Sequence, residues 1–298
     1  MQRRQALQLI GLAAAGPAAA SAPGAAPLTK PIPSSGERLP VVGLGTWITF
    51  NVGRDAQARR QCTEVMRAFF AAGGRLIDSS PMYGSSQPVI GEGLQKLGLP
   101  KTLFSAEKVW TSSDGAAQIE ASRKFWQVPA FDLLQVHNLL AWQDQLPLLM
   151  EMKMAGKLRY VGITTSEGRR HRDFEQVMRA HRLDFIQLTY NPVDREAEQA
   201  LLPLARERGI AVLANRPFQE GALLKKLQRH PLPAFAAEIG CTAWSQVVLK
   251  HIVTHPAITC AIPATGDVAH LRENMAAASG PMPDEAMRKR IADHIGKL

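Results

Sequence analysis

Asp78, Tyr83, Lys108 and His137 are the residues of this chain whose types and spacing can do chemistry together. Asp78, Lys108 and His137 each stand at or near the end of a short apolar run, and Tyr83 follows Asp78 by five positions. If these runs are neighbouring parallel strands, their carboxyl ends meet at one face. We therefore expect the four side chains to lie close together.

A tyrosine hydroxyl has a pKa of about 10 in water and is a poor acid at neutral pH unless its phenolate is stabilised. The ammonium of Lys108 would stabilise that phenolate, and Asp78 would keep the ammonium charged and oriented by pairing with it. His137 can donate a hydrogen bond to a substrate oxygen. This group of residues suits the protonation of an oxygen that gains negative charge, as when hydride adds to a carbonyl carbon.

Other chemistries fit the sequence less well. It shows no serine or cysteine nucleophile with a positioned base and no metal-ligand cluster, so no metal is expected. A hydrolase that uses Asp78 and Glu107 is the alternative. Glu107 directly precedes Lys108, and successive side chains of a strand point to opposite faces. Only one of these two can therefore face a barrel interior.

Strand-like and helix-like segments alternate along the chain. Eight apolar runs are predicted as strands, at residues 41–45, 76–79, 103–109, 133–136, 160–163, 185–188, 211–214 and 259–262, and a helical pattern follows each of them. This alternation implies parallel pairing, and eight such units close into a single-domain α/β fold, the (β/α)8 TIM barrel. An open doubly wound sheet is the alternative, but no glycine-rich phosphate loop follows the first strand.

The composition limits the range of partners. With 298 residues and 46% hydrophobic composition, the chain can form one large core without a second domain. The formal net charge is +9, but the basic residues are scattered along the helices instead of forming a tract interleaved with aromatics, so no nucleic acid partner is expected. No two of the three cysteines, Cys62, Cys241 and Cys260, form a CxxC motif. They are predicted to be small buried hydrophobic residues.

The N-terminus is typical of an export signal. Arg3 and Arg4 precede a short apolar run at residues 7–12 and an alanine-rich stretch that offers a cleavage site. The apolar run is too short to span a bilayer, so no stable membrane insertion is expected after signal removal. The paired arginines resemble a twin-arginine signal. An ordinary secretory signal or a disordered arm is the alternative.

These features predict a three-part chain. Residues 1–26 form the export signal, residues 27–36, rich in proline and glycine, form a linker, and residues 37–298 form the barrel. A chain with such a signal is expected in the periplasm or outside the cell.

Seven motifs follow one another along the chain: Gly43-Leu44-Gly45-Thr46-Trp47, Asp78 with Tyr83-Gly84, Glu107-Lys108-Val109, Gln135-Val136-His137, the run from Gly156 to Thr164, the run from Gln187 to Pro192, and Ile262-Pro263-Ala264 with Leu271-Arg272-Glu273-Asn274. In this order they resemble the aldo-keto reductases, from about Lys30 to the C-terminus. The resemblance implies NAD(P)H-dependent reduction of an aldehyde or ketone to an alcohol. It also implies that the four residues named first are a catalytic tetrad with Tyr83 as the general acid.

The resemblance further implies a set of cofactor-binding residues: Thr164, Thr165, Gln187, Asn215, Arg216, Pro263, Thr265, Arg272, Glu273 and Asn274. Asp267 is predicted to cap the helix that follows it, at a place where barrels commonly bind phosphate. Asn215 stands where many relatives have an aromatic ring that stacks on the nicotinamide. Ala264 and His270 stand where many have the cations that hold the 2′-phosphate. The resemblance implies NADPH as the cofactor. Because the cations for the 2′-phosphate are replaced here, this segment does not exclude NADH.

Trp47, Trp110 and Asn138 are expected to line the pocket of a small-molecule carbonyl substrate, whose identity the sequence does not reveal. We expect a monomer or a weak oligomer. The alternative function is a cofactor-binding barrel that acts as a sensor or interaction module with little turnover. The intact tetrad argues against that alternative.

Overall fold

The computed structural model describes residues 26–298. Within them, eight parallel strands pair in chain order: β3 (Leu44–Gly45), β4 (Leu76–Asp78), β5 (Phe104–Val109), β6 (Leu133–Val136), β7 (Tyr160–Thr164), β8 (Phe185–Thr189), β9 (Ala211–Asn215) and β10 (Cys260–Ala261). All are almost completely buried, because the barrel interior covers one face of each strand and helices cover the other.

The first and last of these strands also meet, and this contact closes the barrel. Val42 forms a parallel bridge with Ala261, and Gly45 forms one with Ala264. A side chain at Gly45 would bring its Cβ within 2.6 Å of the Ile262 carbonyl oxygen, so the seam requires glycine here. The predicted (β/α)8 barrel is therefore confirmed, and the open doubly wound sheet is excluded.

Helices surround the barrel: α1 (Ala56–Ala71), α2 (Ser86–Lys96), α3 (Gly115–Trp126), α4 (Trp142–Met154), α5 (His171–Ala180), α6 (Leu201–Glu207), α7 (Ala222–Leu227), α8 (Phe235–Glu238), α9 (Trp244–Val253), α10 (Val268–Ala276) and α11 (Glu285–Ile295). Carboxylates of Asp55, Asp114, Asp267 and Asp284 accept hydrogen bonds from the first-turn N–H groups of their helices. The predicted cap at Asp267 is thus confirmed.

The linker predicted for residues 27–36 is instead part of the fold. Strands β1 (Thr29–Pro31) and β2 (Arg38–Pro40) form an antiparallel hairpin. Its residues Ile32 and Leu39 are fully buried in the cluster that fills the barrel interior. The proline and glycine content of this stretch reflects a tight turn that plugs the amino end of the barrel. The predicted signal, apart from its last residue, lies outside the described residues.

Cys62, Cys241 and Cys260 are buried and unpaired, as predicted. Burial raises the pKa of the Cys62 and Cys241 thiols to about 11, so both are protonated at neutral pH. Helices α7 and α8 were not anticipated, since six and four residues are too few for a clear helical period. None of the helices described at residues 26–298 is long and apolar enough to cross a membrane.

Candidate active site

Neighbouring strands β4 and β5 bring Asp78 and Lys108 together in the barrel interior. The register pairs Asp78 with Ala106, so Lys108 lies two residues further along β5, on the same face. Its Nζ lies 2.6 Å from Asp78 Oδ2 and donates a second hydrogen bond to the Ser79 carbonyl oxygen at 2.7 Å. Burial lowers the pKa of Lys108, but the Asp78 carboxylate and Tyr83 outweigh it, so the pKa is raised and the ammonium stays charged.

Tyr83 lies directly above this ion pair, in the loop after β4. The Lys108 Nζ is 4.9 Å from the centre of the tyrosine ring. Gly84, the next residue, has a φ of +58°, which is unfavourable for other residue types, and a Cβ there would lie 2.3 Å from the Asn51 side chain. Burial raises the pKa of Tyr83 to about 12, against the opposing effect of Lys108. The hydroxyl is therefore fully protonated at neutral pH.

His137 approaches Tyr83 from the end of β6, with the two rings edge to face and their centres 5.7 Å apart. Its Nδ1 lies 2.7 Å from the Ser80 hydroxyl oxygen, which itself accepts a hydrogen bond from the Met82 N–H. When the hydroxyl donates its proton to Nδ1, the ring proton lies on Nε2. Burial, with a smaller effect of Lys108, holds the pKa of His137 well below its usual value. The ring is a neutral hydrogen-bond donor.

Gln187, in the middle of β8, and Asn215, at the end of β9, belong to the same polar network. Gln187 Nε2 donates to Asp78 Oδ1 at 2.7 Å, so both oxygens of that carboxylate are occupied. Asn215 accepts from Thr189 and donates to the Thr165 carbonyl oxygen at 2.9 Å. Asn215 therefore holds the ends of neighbouring strands together by hydrogen bonds. Many relatives are expected to have an aromatic ring at this position instead.

A cavity of about 510 Å³ opens above these residues at the carboxyl end of the barrel. Its wall includes most of the predicted site residues: Trp47, Asp78, Tyr83, His137, Asn138, Thr164, Gln187, Asn215, Arg216, Thr265, Glu273 and Asn274. Lys108 lies beneath it, completely buried. The structure thus brings together the predicted tetrad and the greater part of the predicted binding residues in one cavity of a size usual for small ligands.

Besides Lys108, four predicted residues do not line this cavity, and each has a physical reason. The Thr165 hydroxyl bonds to the Arg169 carbonyl oxygen. The Pro263 carbonyl oxygen accepts a hydrogen bond from Gly45 in the barrel seam. Arg272 is exposed, since Glu273 and Asn274 occupy the inward face of α10. Trp110 lies on the surface, with its backbone N–H bonded to Gln118 Oε1.

Other residues line the cavity that sequence reasoning did not select: Ser166, Glu167, Arg169, Glu220, Lys225, Gln228, Ser245 and His270. Arg216 Nη1 lies 2.6 Å from Glu220 and 2.9 Å from Glu167. Trp47 Nε1 donates to Glu220 at 3.3 Å. A chain of polar contacts therefore crosses the mouth of the cavity. Glu220 could have been predicted from the sequence as a site residue, because it lies in the loop after β9 and such loops converge on the site. Lys225 could not, because it lies on helix α7, which the sequence did not predict.

The fold and the site define a barrel enzyme that presents a proton donor, supported by a buried ion pair, to a small molecule. The profile of the Aldo/keto reductase family matches residues 41–294. Methylglyoxal reductase YeaE of Escherichia coli is 28% identical over 257 residues, which cover 83% of this chain and 88% of that protein. An NADH-specific methylglyoxal reductase of Escherichia coli is 26% identical, over 65% and 68% of the two chains.

The solved structures agree with this match. An aldo/keto reductase from Klebsiella pneumoniae, in complex with NADP and acetate, superimposes with a TM-score of 0.74 at 21% identity, covering 87% of this chain and 93% of that one. Because the family profile spans most of the sequence, this chain belongs to the aldo/keto reductase family. The expectation of an NAD(P)H-dependent oxidoreductase that acts on carbonyl groups is thereby confirmed.

Proposed function

We propose that this protein reduces a small aldehyde or ketone to the alcohol, with Tyr83 as the proton donor. The observation that carries the proposal is the placement of Lys108, which lies 2.6 Å from Asp78 and beneath the ring of Tyr83, at the floor of the cavity. A bound reduced nicotinamide would supply hydride to the carbonyl carbon. The protein's own residues would bind and polarise the carbonyl and deliver the proton.

Tyr83 and His137 both carry a proton that they can offer to a substrate oxygen. The oxygen of a carbonyl under reduction approaches an alkoxide, which is a stronger base than a phenolate, so transfer from Tyr83 is favourable even with a pKa of about 12. The phenolate left behind faces the Lys108 ammonium. The Nε2–H of His137 can orient the same oxygen without giving up its proton.

The residues of the cavity fit a nicotinamide dinucleotide. Thr164, Gln187 and Asn215 place hydrogen-bonding groups on the cavity wall beside the tetrad, as the carboxamide of a nicotinamide needs. Thr265 and His270, at the start of α10, line the same wall, and the positive end of the helix dipole there favours phosphate. We propose NADPH as the cofactor, in line with the NADP complex of the Klebsiella pneumoniae structure.

Lys225 and His270 support this choice. Arg169 and Arg216, the two arginines of the cavity wall, are both paired with Glu167. Lys225 and His270 form no ion pair with any residue that the structure describes, although both line the cavity. We propose that they, and not Arg272, receive the 2′-phosphate.

We expect Lys225→Met to weaken NADPH binding about tenfold, since a hydrogen bond to a charged group contributes roughly 1.5 kcal/mol or more. NADH binding should not change, because NADH lacks the 2′-phosphate. Fluorescence titration of the wild-type protein and the variant with each cofactor measures the dissociation constants. Lys226→Met is the matched control, because it removes the same charge from an exposed residue outside the cavity wall. Equal losses for both cofactors would place Lys225 at the pyrophosphate instead.

For the substrate we propose a small carbonyl compound, and methylglyoxal is the first to test because two relatives are named for its reduction. Trp47, Ile48 and Met82 form an apolar rim at the cavity and also suit aromatic aldehydes. The experiment is a spectrophotometric assay of NADPH consumption with methylglyoxal and a panel of aromatic and aliphatic aldehydes. Tight cofactor binding without turnover on any of them would favour the sensor function.

We also propose that a twin-arginine signal directs export of the folded precursor to the periplasm or out of the cell. The support lies in Arg3, Arg4 and the short apolar run that follows them. Three unpaired, buried cysteines also suit a chain that folds before it meets an oxidising compartment.

Replacement of Arg3 and Arg4 by lysines should trap the precursor in the cytoplasm, because the twin-arginine pathway reads the arginine pair. Fractionation of cells that produce a tagged precursor measures this. An Arg38→Lys variant, altered in the mature barrel, is the control and should be exported normally. A lysine-pair precursor that still reached the periplasm would contradict the twin-arginine assignment.

A further inference from the structure

Glu107 is a completely buried carboxyl group that the proposed reaction does not use. It lies on β5 next to Lys108 but points to the opposite face, between the strand and the helices α2 and α3. Three N–H groups donate to it: the backbone of Lys108 at 2.8 Å, Gln87 Nε2 at 3.0 Å and Trp126 Nε1 at 2.7 Å. Gln87 is held in turn by the Ser122 hydroxyl at 2.8 Å.

No cation contacts this carboxyl group among the residues that the structure describes. Helices α2 and α3 present Gln87, Ser122 and Trp126 to it, none of which titrates. The one nearby ammonium is that of Lys108, on the other face of the same strand. Burial raises the pKa of Glu107 to about 7, against the opposing effects of Gln87 and Lys108. Its charge therefore changes within the neutral range.

Resting on the proposed function, we propose that Glu107 is a positioning residue that acts through Lys108 to control how readily Tyr83 releases its proton. With Glu107 ionised, two carboxylates, those of Asp78 and Glu107, share the single positive charge of Lys108. An additional negative charge in a buried region disfavours formation of the Tyr83 phenolate. Neutralising Glu107 removes that charge and makes Tyr83 the stronger acid.

The reverse reaction, alcohol oxidation with NADP⁺, reports this effect, because the Tyr83 phenolate must take up the proton of the alcohol. Below the pKa of Tyr83, the oxidation rate is proportional to the phenolate fraction. At pH 9 we expect Glu107→Gln to raise kcat/KM for oxidation about three- to tenfold, since one pKa unit corresponds to a tenfold change in that fraction. The cofactor dissociation constant should not change.

The wild-type protein supplies a second test that needs no variant. As pH rises through about 7, Glu107 ionises and opposes deprotonation of Tyr83. The plot of log kcat/KM for oxidation against pH should therefore be shallower around pH 7 than at pH 9. A uniform slope through this range would overturn the proposal. In Glu107→Gln, the slope should be uniform.

Trp126→Phe is the control for a purely structural role, because it removes one donor and leaves the carboxyl group. It should lower the melting temperature yet keep the wild-type oxidation rate at pH 9, where Glu107 is ionised in both proteins. Tyrosinate absorbance, taken as the difference from Tyr83→Phe, should titrate at lower pH in Glu107→Gln, without any turnover. An unchanged titration would overturn this inference, whereas absence of reductase activity with a shifted titration would overturn only the proposed function.

Discussion

The Tyr83→Phe variant should lose carbonyl reduction by roughly a hundred- to ten-thousandfold in kcat, the range attributed to a positioned general acid. Phenylalanine keeps the ring, its edge-to-face contact with His137 and its position over Lys108, but it has no proton to give. His137 cannot replace Tyr83 as the proton donor. Only the imidazolium form of His137 would give up a proton readily, and burial disfavours that charged form because it lowers the pKa of the ring. Single-turnover kinetics with saturating NADPH measures the loss directly.

Tyr160→Phe provides the matched control for this variant. It makes the same chemical change at the opposite end of the barrel, where the Tyr160 hydroxyl contacts Glu37 and Ser35 at 2.8 Å each. We expect a lower melting temperature and normal turnover. Tyr83→Phe should bind NADPH with unchanged affinity, so the loss will be confined to the chemical step. Wild-type turnover by Tyr83→Phe would contradict the assignment of Tyr83 as proton donor.

The Lys108→Met variant should lose both turnover and stability. Removal of the Lys108 ammonium leaves Asp78 as a buried carboxylate with no cation. Breaking such a buried ion pair destabilises a protein by about 3–5 kcal/mol. Tyr83 loses the charge that stabilises its phenolate, so reduction should fall at least as far as in Tyr83→Phe. Urea unfolding gives the free energy of unfolding, and the NADPH assay gives the turnover.

Adding Asp78→Leu to Lys108→Met separates the two effects. The double variant has no unpaired charge at this position, so much of the lost stability should return, although Gln187 loses its acceptor. Activity should remain absent, since no ammonium faces Tyr83. A double variant as unstable as the sum of its single variants would show that the two side chains do not interact as the 2.6 Å contact implies.

The pH dependence of the reaction follows from the same groups. In the direction of reduction, Tyr83 must be protonated, and because burial raises its pKa to about 12, loss of its own proton should not lower turnover in the neutral and mildly alkaline range. His137 stays neutral throughout, since burial holds its pKa well below the usual value. The charge of Glu107 is the one expected to change near neutrality.

The eight strand and helix units could be predicted from the sequence, because alternation of apolar runs with amphipathic segments is a local pattern. That pattern also predicted the tetrad, since parallel strands place the residues at their carboxyl ends on one face. The opposite orientations of Glu107 and Lys108 followed from the alternation of side chains along a strand. The hairpin at residues 29–40 escaped prediction because its proline and glycine content is shared by linkers and tight turns.

The sequence by itself therefore determined the barrel and the family, and it predicted the four residues of the tetrad, because all of these depend on order along the chain. Only the tertiary structure decided the contacts between residues far apart in sequence. It placed Ser80 beside His137, Lys225 on the cavity wall and three neutral donors around Glu107. Closure of the barrel and the packing of helices against it set these distances, and no spacing along the chain encodes them. Burial in that packed interior also raises the pKa of Tyr83, although the adjacent Lys108 acts in the opposite direction.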